Sequence, residues 1–429
     1  MTSLTIEDFS CIKSAKFELA PVTVMIGPQG SGKSVTTKML YFCIDTLHRQ
    51  YACAEKGMTL EEFKKDTVRQ FKVWFPATAW GEKKFIINFN SGSFSIRFMR
   101  RMSKGSPADD LTANFSEFFN RQYNDLRRDY ENTKSEGLDD DEMLRHSLDK
   151  IWQVRERSYS FISKELGKDY ISSQIFIPAG RAFFTSIGRI VAAIEQGSSL
   201  DPVTVRFAKL FASLRDFASR GHPFGRRDQE AQKRRTTTMS DLFGGEIKFE
   251  SEQEFVETKD GRIIPFTALS SGQQELLPMW LLVDFYADRS LSKERGELFY
   301  IEEPEAHLFP EAQSLLMDFL IGNLVSKKGN RNLIFTTHSP YILSKINNYL
   351  MAGQVGRNTK KISQVSKVVP RGLWLIPSRV KAYAFNDGKL EDIMSSDGII
   401  DAEYIDSVSQ SVGETFSQLL DIQYADGGA

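Results

Sequence analysis

Gly27-Pro28-Gln29-Gly30-Ser31-Gly32-Lys33-Ser34 lies between two segments of opposite character. Before it, Val22-Thr23-Val24-Met25-Ile26 is a short apolar run bounded by Pro21 and Gly27, as a buried strand requires. After it, from Ser34 to about His48, Val35, Met39, Leu40, Phe42, Cys43 and Leu47 recur at helical spacing. The octapeptide satisfies G-x-x-x-x-G-K-[ST] at every required place, and the strand and helix around it are what a chance glycine-rich turn would lack. Such a loop turns successive backbone N–H groups inward around phosphate oxygens, and the helix behind it offers the anion its positive end. Lys33 is expected to reach the β- and γ-phosphates of ATP, with a catalytic share, and Ser34 to offer its hydroxyl to Mg²⁺. The nucleotide-contacting residues predicted here are Gly27, Pro28, Gln29, Gly30, Ser31, Gly32, Lys33, Ser34 and Val35.

Three downstream motifs complete the chemistry. Leu298-Phe299-Tyr300-Ile301 reads as a buried strand and ends in Glu302-Glu303-Pro304-Glu305. Acids at the carboxyl end of a parallel strand beside a phosphate loop are placed to hold Mg²⁺ and to act on water. Glu302 is assigned to the metal with Ser34, and Glu303 to orienting or deprotonating the attacking water. Leu269-Ser270-Ser271-Gly272-Gln273-Gln274-Glu275 opens a helix: Ser270 is a good N-cap, and Ser270, Ser271, Gly272 and Gln273 form an end able to receive a phosphate. Thr336-Thr337-His338-Ser339-Pro340 follows a further strand, Asn332 to Thr336, and places His338 where it can hydrogen-bond a γ-phosphate. His48, His146 and His222 are left as structural residues.

Composition sets the class. The chain has 429 residues, 41% hydrophobic and 26% charged, with 32 Phe. That is the balance of a folded protein with a large aromatic core. A net charge of -1 gives no global attraction to nucleic acid or membranes. Three cysteines without paired spacing fit a reducing compartment, and Cys11 and Cys43 read as core residues. The N-terminus has no secretory signal pattern and no run of eighteen apolar residues occurs, so a cytoplasmic location and no membrane contact are expected.

The organisation expected is one head assembled from residues 1–48 and 246–372, interrupted by an insertion over 49–245 and followed by a tail over 373–429. The head opens with paired strands at Leu4-Thr5-Ile6 and Lys16-Phe17-Glu18-Leu19. The insertion carries a hairpin at 84–100, two or three helices over 108–170, a strand at 171–178 and a polar, basic loop at 220–238. Glu246 to Phe266 reads as another hairpin, turning at Lys259-Asp260-Gly261. The order strand, helix 309–325, strand is a parallel crossover unit.

Taken together, the loop ending in Lys33-Ser34, then LSSGQ, then a hydrophobic strand ending EEPEAHLFP, then TTHSP resembles the ABC-type ATPase heads of the RecF, SMC and overcoming-lysogenization-defect group, an AAA15-like set. TIEDFSCIKSAKFELAPVTVMIGPQGSGKS looks like their opening β-hairpin and phosphate-loop strand. The resemblance covers residues 1–48 and about 246–346 and leaves the middle uncovered. It implies an α/β P-loop head, with a mixed sheet, N-terminal antiparallel strands and a helical insertion, that hydrolyses ATP with Mg²⁺. It also implies that two heads sandwich two nucleotides, with Lys33 and Ser34 of one chain facing Ser270 and Gly272 of the other. His338 would be the switch histidine, and Glu305-Ala306-His307-Leu308 would lie at the interface between chains. The usual Asp of the metal-binding acid is Glu302 here, a mark of a subgroup. No clear Q-loop glutamine follows a strand; Gln174 or the turn Pro178–Arg181 is the candidate, with Arg181 the better placed for phosphate.

The long segment between Lys33 and Ser270 argues against a transporter cassette, and 108–170 is too short for SMC arms. Residues 373–429 are too few for a Toprim nuclease. The resemblance therefore narrows to ATPase subunits of bacterial anti-phage systems, PARIS-type first, with Septu and retron-associated ATPases as relatives. Such a subunit self-assembles as a homodimer or larger oligomer and controls a separate effector such as a nuclease, triggered by a phage protein or DNA. Two alternatives stand beside it: a slow nucleotide-gated scaffold or sensor, and a RecF-like DNA-binding repair ATPase. The second would use the basic run containing Arg226, Arg227, Lys233, Arg234 and Arg235, which is otherwise a solvated loop.

Overall fold

A computed structural model describes residues 1–101, 111–133, 140–185, 201–220, 229–250, 253–287, 296–325, 331–401 and 414–419. One mixed sheet of eleven strands runs through it. In chain order these are β1 (Ser3–Phe9), β2 (Ile12–Glu18), β3 (Val22–Ile26), β4 (Ile86–Ser91), β5 (Phe94–Arg100), β6 (Leu111–Phe115) and β7 (Ile171–Ile177). After a separate three-stranded sheet, β8 (Gly245–Glu250), β9 (Gln253–Thr258) and β10 (Ile263–Pro265), the large sheet resumes with β11 (Gly296–Glu302), β12 (Arg331–Thr337), β13 (Val380–Asn386) and β14 (Lys389–Asp392). The large sheet is ordered β6-β5-β4-β1-β2-β14-β13-β3-β12-β11-β7.

The sheet has two halves of different chemistry. From β6 to β2 every pairing is antiparallel, and β1 buries Leu4, Ile6 and Phe9 on one face. Strands β13, β3, β12, β11 and β7 are mutually parallel. All five residues of β3 and all seven of β11 are buried, as in a parallel sheet covered on both faces. Val22, Val24 and Ile26 face one core and Met25 the other, so β3 separates the two.

The helices are α1 (Lys33–Glu55), α2 (Leu60–Trp74), α3 (Glu117–Thr133), α4 (Asp140–Leu166), α5 (Pro202–Ser219), α6 (Gln229–Phe243), α7 (Ser271–Ala287), α8 (Pro310–Leu324), α9 (Pro340–Val355) and the short α10 (Ile362–Val368), which buries none of its residues. On one face α1 and α2 close an aromatic core of Phe9, Phe42, Phe71, Phe75, Trp80 and Phe85, with ring centroids 4.9–6.3 Å apart in edge and stacked pairs. On the other, α7, α8 and α9 pack against the parallel strands, and Trp280 stacks on Phe319 at 3.9 Å. Trp280 is fully buried. Trp280→Ala is expected to destabilise the fold by about 3–5 kcal/mol, read as a lower denaturant midpoint at an unchanged slope; an unchanged midpoint would contradict this packing.

Several expectations are corrected. The sheet does not respect the expected boundaries at 48, 245 and 372. Hairpin 84–100 extends the N-terminal antiparallel strands, because β4 pairs with β1 from Ser3↔Asn90 to Glu7↔Ile86. The expected tail supplies β13, which pairs in parallel with β3 from Val380↔Val22 to Ala384↔Ile26 and so lies beside the strand that feeds the glycine loop. Leu111–Phe115 is a strand ahead of the helices expected over 108–170. Residues 245–265 make three strands rather than two, because Ile263–Pro265 pairs back on β9. The stretch expected as a basic loop is helical from Gln229, while residues 221–228, including Arg226 and Arg227, lie outside the described residues. Cys11 is exposed in the β1–β2 turn rather than in the core. No helix among the described residues is long and apolar enough to cross a membrane.

Candidate functional site

Because β3, β12, β11 and β7 are parallel and in register, their carboxyl ends meet at one edge. That edge receives the glycine loop after Ile26, Glu302-Glu303 at the end of β11, His338 after β12, and Pro178–Arg181 after β7. The four segments lie far apart in sequence, from Gly27 to His338, and are brought together by the sheet.

The loop leads straight into α1. Gly32 is the N-cap with φ +114, in the left-handed region, and a β-carbon there would lie 2.7 Å from Ile12 Cγ1. No side chain caps α1, and its first turn holds no acid. The positive end of a 23-residue helix is thus left to an anion. Lys33 Nζ donates to the carbonyls of Gly27 (2.7 Å) and Pro28 (2.9 Å), so the ammonium is folded over the loop. Burial lowers its pKa, opposed by the negative charges of Glu303, Glu305 and Glu302.

The acids opposite are held in distinct ways. Glu302 is buried; its Oε2 accepts from Ala179 N at 3.5 Å, and its Oε1 has no hydrogen-bond partner among the described residues. Glu303 is part exposed and has φ +44. Its N–H donates to Thr336 O (3.0 Å) and lies 3.3 Å from Thr336 Oγ1. Its Oε1 lies 3.4 Å from His338 Nε2. The hydrogen bond from His338 holds the Glu303 carboxyl below its ordinary value, against the opposing effect of burial. Glu305 Oε1 accepts from Thr337 Oγ1 and His338 N, both at 2.7 Å, and its Oε2 is buried without a partner among the described residues. Ser31 Oγ is likewise buried and unpartnered among the described residues.

These orphaned atoms test the fit of a nucleotide and its metal. Buried polar atoms without partners are rare in folded proteins, and here three of them line the edge that a phosphate chain would occupy. No cluster of three or more His, Cys, Asp or Glu among the described residues would hold a metal on its own. Ser34, which is exposed, and Glu302 make the sparse protein share that Mg²⁺ takes when phosphate oxygens supply the rest. The residues fit both groups.

The LSSGQ turn starts α7 with reciprocal capping. Ser270 Oγ and N both contact Gln273 Oε1 (3.0 and 3.2 Å), and Gln273 N lies 3.4 Å from Ser270 Oγ. Gln273 Nε2 also donates to Phe243 O (2.9 Å), so its side chain is engaged inside the chain. Ser271 is exposed. Gly272 is buried at a close approach: a β-carbon would lie 2.6 Å from His307 O. Among the described residues no hydrogen bond joins Ser270–Gln273 to Gly27–Ser34. Pro28, Gln29 and Gly30 are exposed, and Val35 is half-buried beneath the loop.

Two candidates for the Q-loop role are corrected. Gln174 is occupied internally, donating to Tyr41 O (3.2 Å) and accepting from Tyr300 Oη (2.7 Å). Arg181 is fully buried and donates to Glu275 O, Pro178 O, Glu302 O and Glu303 O, so it is a brace within the protein and not a phosphate ligand. The sequence marked its turn but not its partner Glu275, which lies ninety-four residues away. Of the basic run, Arg235 is bound to the buried Asp284 (2.8 Å) and Arg234 pairs with Glu230 (2.9 Å). His48 is structural, with Nε2 2.7 Å from Ile171 O.

A carboxyl held below its ordinary value stays ionised to lower pH. Were Glu303 the base of a turnover step, the acid limb of that turnover would lie below about pH 4.5, the ordinary value. In His338→Ala that limb should move upward. A pH–rate profile reads it, and an unmoved limb would show that the imidazole does not set the ionisation of Glu303.

The fold is similar to the SMC head domain from Thermotoga maritima, at 12% identity and a TM-score of 0.35, covering 91% of this chain and 97% of that one. It is similar to an SMC head bound to the C-winged helix domain of ScpA (10% identity, TM-score 0.39, covering 91% and 96%) and to a dimeric bacterial ABC transporter cassette (11%, 0.30, 90% and 96%). No curated protein matches the chain. A family model described as "AAA domain, putative AbiEii toxin, Type IV TA system" matches residues 22–344, well over half of the 429 residues, and the chain belongs to that family.

Proposed function

We propose that this chain is a Mg²⁺-dependent ATPase head that self-assembles across composite nucleotide sites and thereby controls a separate effector, a nuclease by preference, in anti-phage defence. The observation that carries the ATPase reading is the meeting of Lys33, Glu302, Glu303 and His338 at one sheet edge, with the Glu303 carboxylate against His338. Gly27–Ser34 and Val35 bind the triphosphate. Lys33 neutralises charge on its terminal phosphates. Ser34 and Glu302 hold Mg²⁺, which supplies further charge neutralisation at the phosphates. Glu303, kept ionised, accepts a proton from the attacking water. His338 orients Glu303 and the terminal phosphate.

Self-assembly rests on the motif resemblance, in which the LSSGQ turn of one chain serves the glycine loop of another; among the described residues no hydrogen bond joins the two within this chain. Ser270, Ser271, Gly272 and Gln273 then complete the nucleotide site of a second chain, with the Gln273 side chain serving through its cap. Phe309 and Tyr341, 74% and 56% exposed, flank the motifs EEPEAHL and TTHS and supply apolar surface for that contact. Anti-phage effector control in a cytoplasmic setting rests on the motif resemblance.

Equilibrium binding of a fluorescent ATP analogue and phosphate release by the purified chain test the reading. Saturable binding with Mg²⁺-dependent release supports it. Binding with very slow release would favour the nucleotide-gated scaffold, and neither binding nor release would refute both.

A further inference from the structure

Glu303 is a residue with a β-carbon in the left-handed region, a conformation that persists only when its surroundings over-determine it. Besides the bond inside its own turn, where Ala306 N–H donates to Glu303 O (3.1 Å), three main-chain contacts hold it, and two of them are with Thr336. The third comes from Arg181, whose Nη2 donates to Glu303 O at 3.0 Å. Nη1 of the same guanidinium donates to Glu302 O (2.6 Å) and Pro178 O (3.0 Å), and Nε donates to Glu275 O (3.0 Å). Four of the five N–H groups of one planar fork are thus directed at carbonyls on three elements.

Glu275 returns the connection. Its carboxylate accepts from the main-chain N–H groups of Arg181 (2.8 Å) and Ala182 (3.1 Å), and Thr185 Oγ1 donates to Gln274 O (2.9 Å). Glu275 and Gln274 belong to the first turn and a half of α7, directly behind Ser270–Gln273. The same turn touches the acidic loop a second time, where Gly272 meets His307 O. The LSSGQ turn and the loop carrying Glu303 therefore share one buried brace with Arg181, fully buried, at its centre.

We propose that Arg181 is a positioning residue that transmits the seating of the Ser270–Gln273 turn on a second chain to Glu303 of its own chain. The inference rests on the composite-site reading above. In that arrangement the turn serves one nucleotide and Glu303 another, so the brace links the two sites of an assembly. A shift of α7 moves Glu275, Glu275 moves the Arg181 fork, and the fork moves the carbonyls of Glu302 and Glu303. A lysine at 181 keeps the charge but places it on a flexible stem that cannot hold four directed bonds.

The test uses the full chain and two variants, Arg181→Lys and the milder Glu275→Gln, which keeps the shape and replaces one acceptor oxygen. Affinity for a fluorescent ATP analogue, kcat, melting temperature and hydrogen exchange are measured with and without ATP and Mg²⁺. In the parent, nucleotide is expected to slow exchange both at residues 27–36 and at 303–308. In Arg181→Lys, affinity should stay within about twofold and protection at 27–36 should persist, while protection at 303–308 is lost and kcat falls at least about tenfold. Glu275→Gln should move the same readouts by less and decides the matter if Arg181→Lys does not fold. Parental kcat and parental protection at 303–308 in the variants would overturn the proposal, as would a joint fall of affinity, kcat and melting temperature in both. If the parent protects 27–36 but not 303–308, transmission is refuted while nucleotide binding stands. If it protects neither, the proposed function fails as well.

Discussion

Glu303→Gln is expected to lower kcat by about a hundredfold to ten-thousandfold, the range a positioned general base contributes, while nucleotide affinity stays near that of the parent. The reason is geometric. Glu303 is held by main-chain bonds from Thr336 and Arg181, none of which involves its carboxylate. The amide is nearly isosteric, so the loop keeps its shape and loses only the group that accepts a proton. Its partner His338, 3.4 Å away, would then face a neutral side chain. Single-turnover phosphate release alongside equilibrium binding separates the two effects. An unreduced rate would remove Glu303 from the chemistry, and a parallel loss of affinity would make it a binding residue.

Lys33→Ala is expected to act on the other quantity. The Lys33 ammonium is the cation folded over the glycine loop, and its contacts there are two carbonyls that a phosphate chain would replace. Hydrogen bonds to charged groups contribute about 1.5–3 kcal/mol each, so affinity for ATP should fall by roughly tenfold to a hundredfold or more. Turnover should fall with it. The fold should survive, since Lys33 bonds only to its own loop, and a melting temperature close to the parent's would check that. Retained affinity in Lys33→Ala would mean that α1's open end and the loop amides bind the anion without the lysine.

How much of this was legible in the sequence follows from the range of the contacts involved. The glycine loop, the acidic strand end, the LSSGQ turn and His338 are each encoded within five to eight consecutive residues, and their flanking strands and helices carry the expected periodicities. Local spacing was therefore enough to find them and to place β3, α1, β11, β12 and α7. It also marked Ser270 as the N-cap of α7, whereas the return contact from Gln273 Oε1 is a finding of the structure. What escaped depends on distant partners. Val380–Asn386 has the composition of many exposed strands, and only its pairing with Val22–Ile26 puts it at the centre of the sheet. Leu111–Phe115 is short and abuts helical sequence, so its pairing with β5 was invisible. Arg181 stood next to a recognised turn, but an arginine near a phosphate loop points to phosphate until the main-chain carbonyls of Glu275, Pro178, Glu302 and Glu303 are seen to occupy it. The basic run 226–235 illustrates the same limit: charge pattern alone could not show that Arg235 is held by Asp284.

Phe309 and Tyr341 are exposed beside the acidic and histidine motifs, and a second chain would cover them in the proposed assembly. The most direct test is the solution mass of Glu303→Gln with and without ATP and Mg²⁺, repeated with Ser270→Arg added. Nucleotide is expected to raise the mass to that of a dimer or larger assembly, and Ser270→Arg to abolish the rise. A mass that stays at one chain in every condition, or a rise that Ser270→Arg leaves intact, would contradict the proposed assembly.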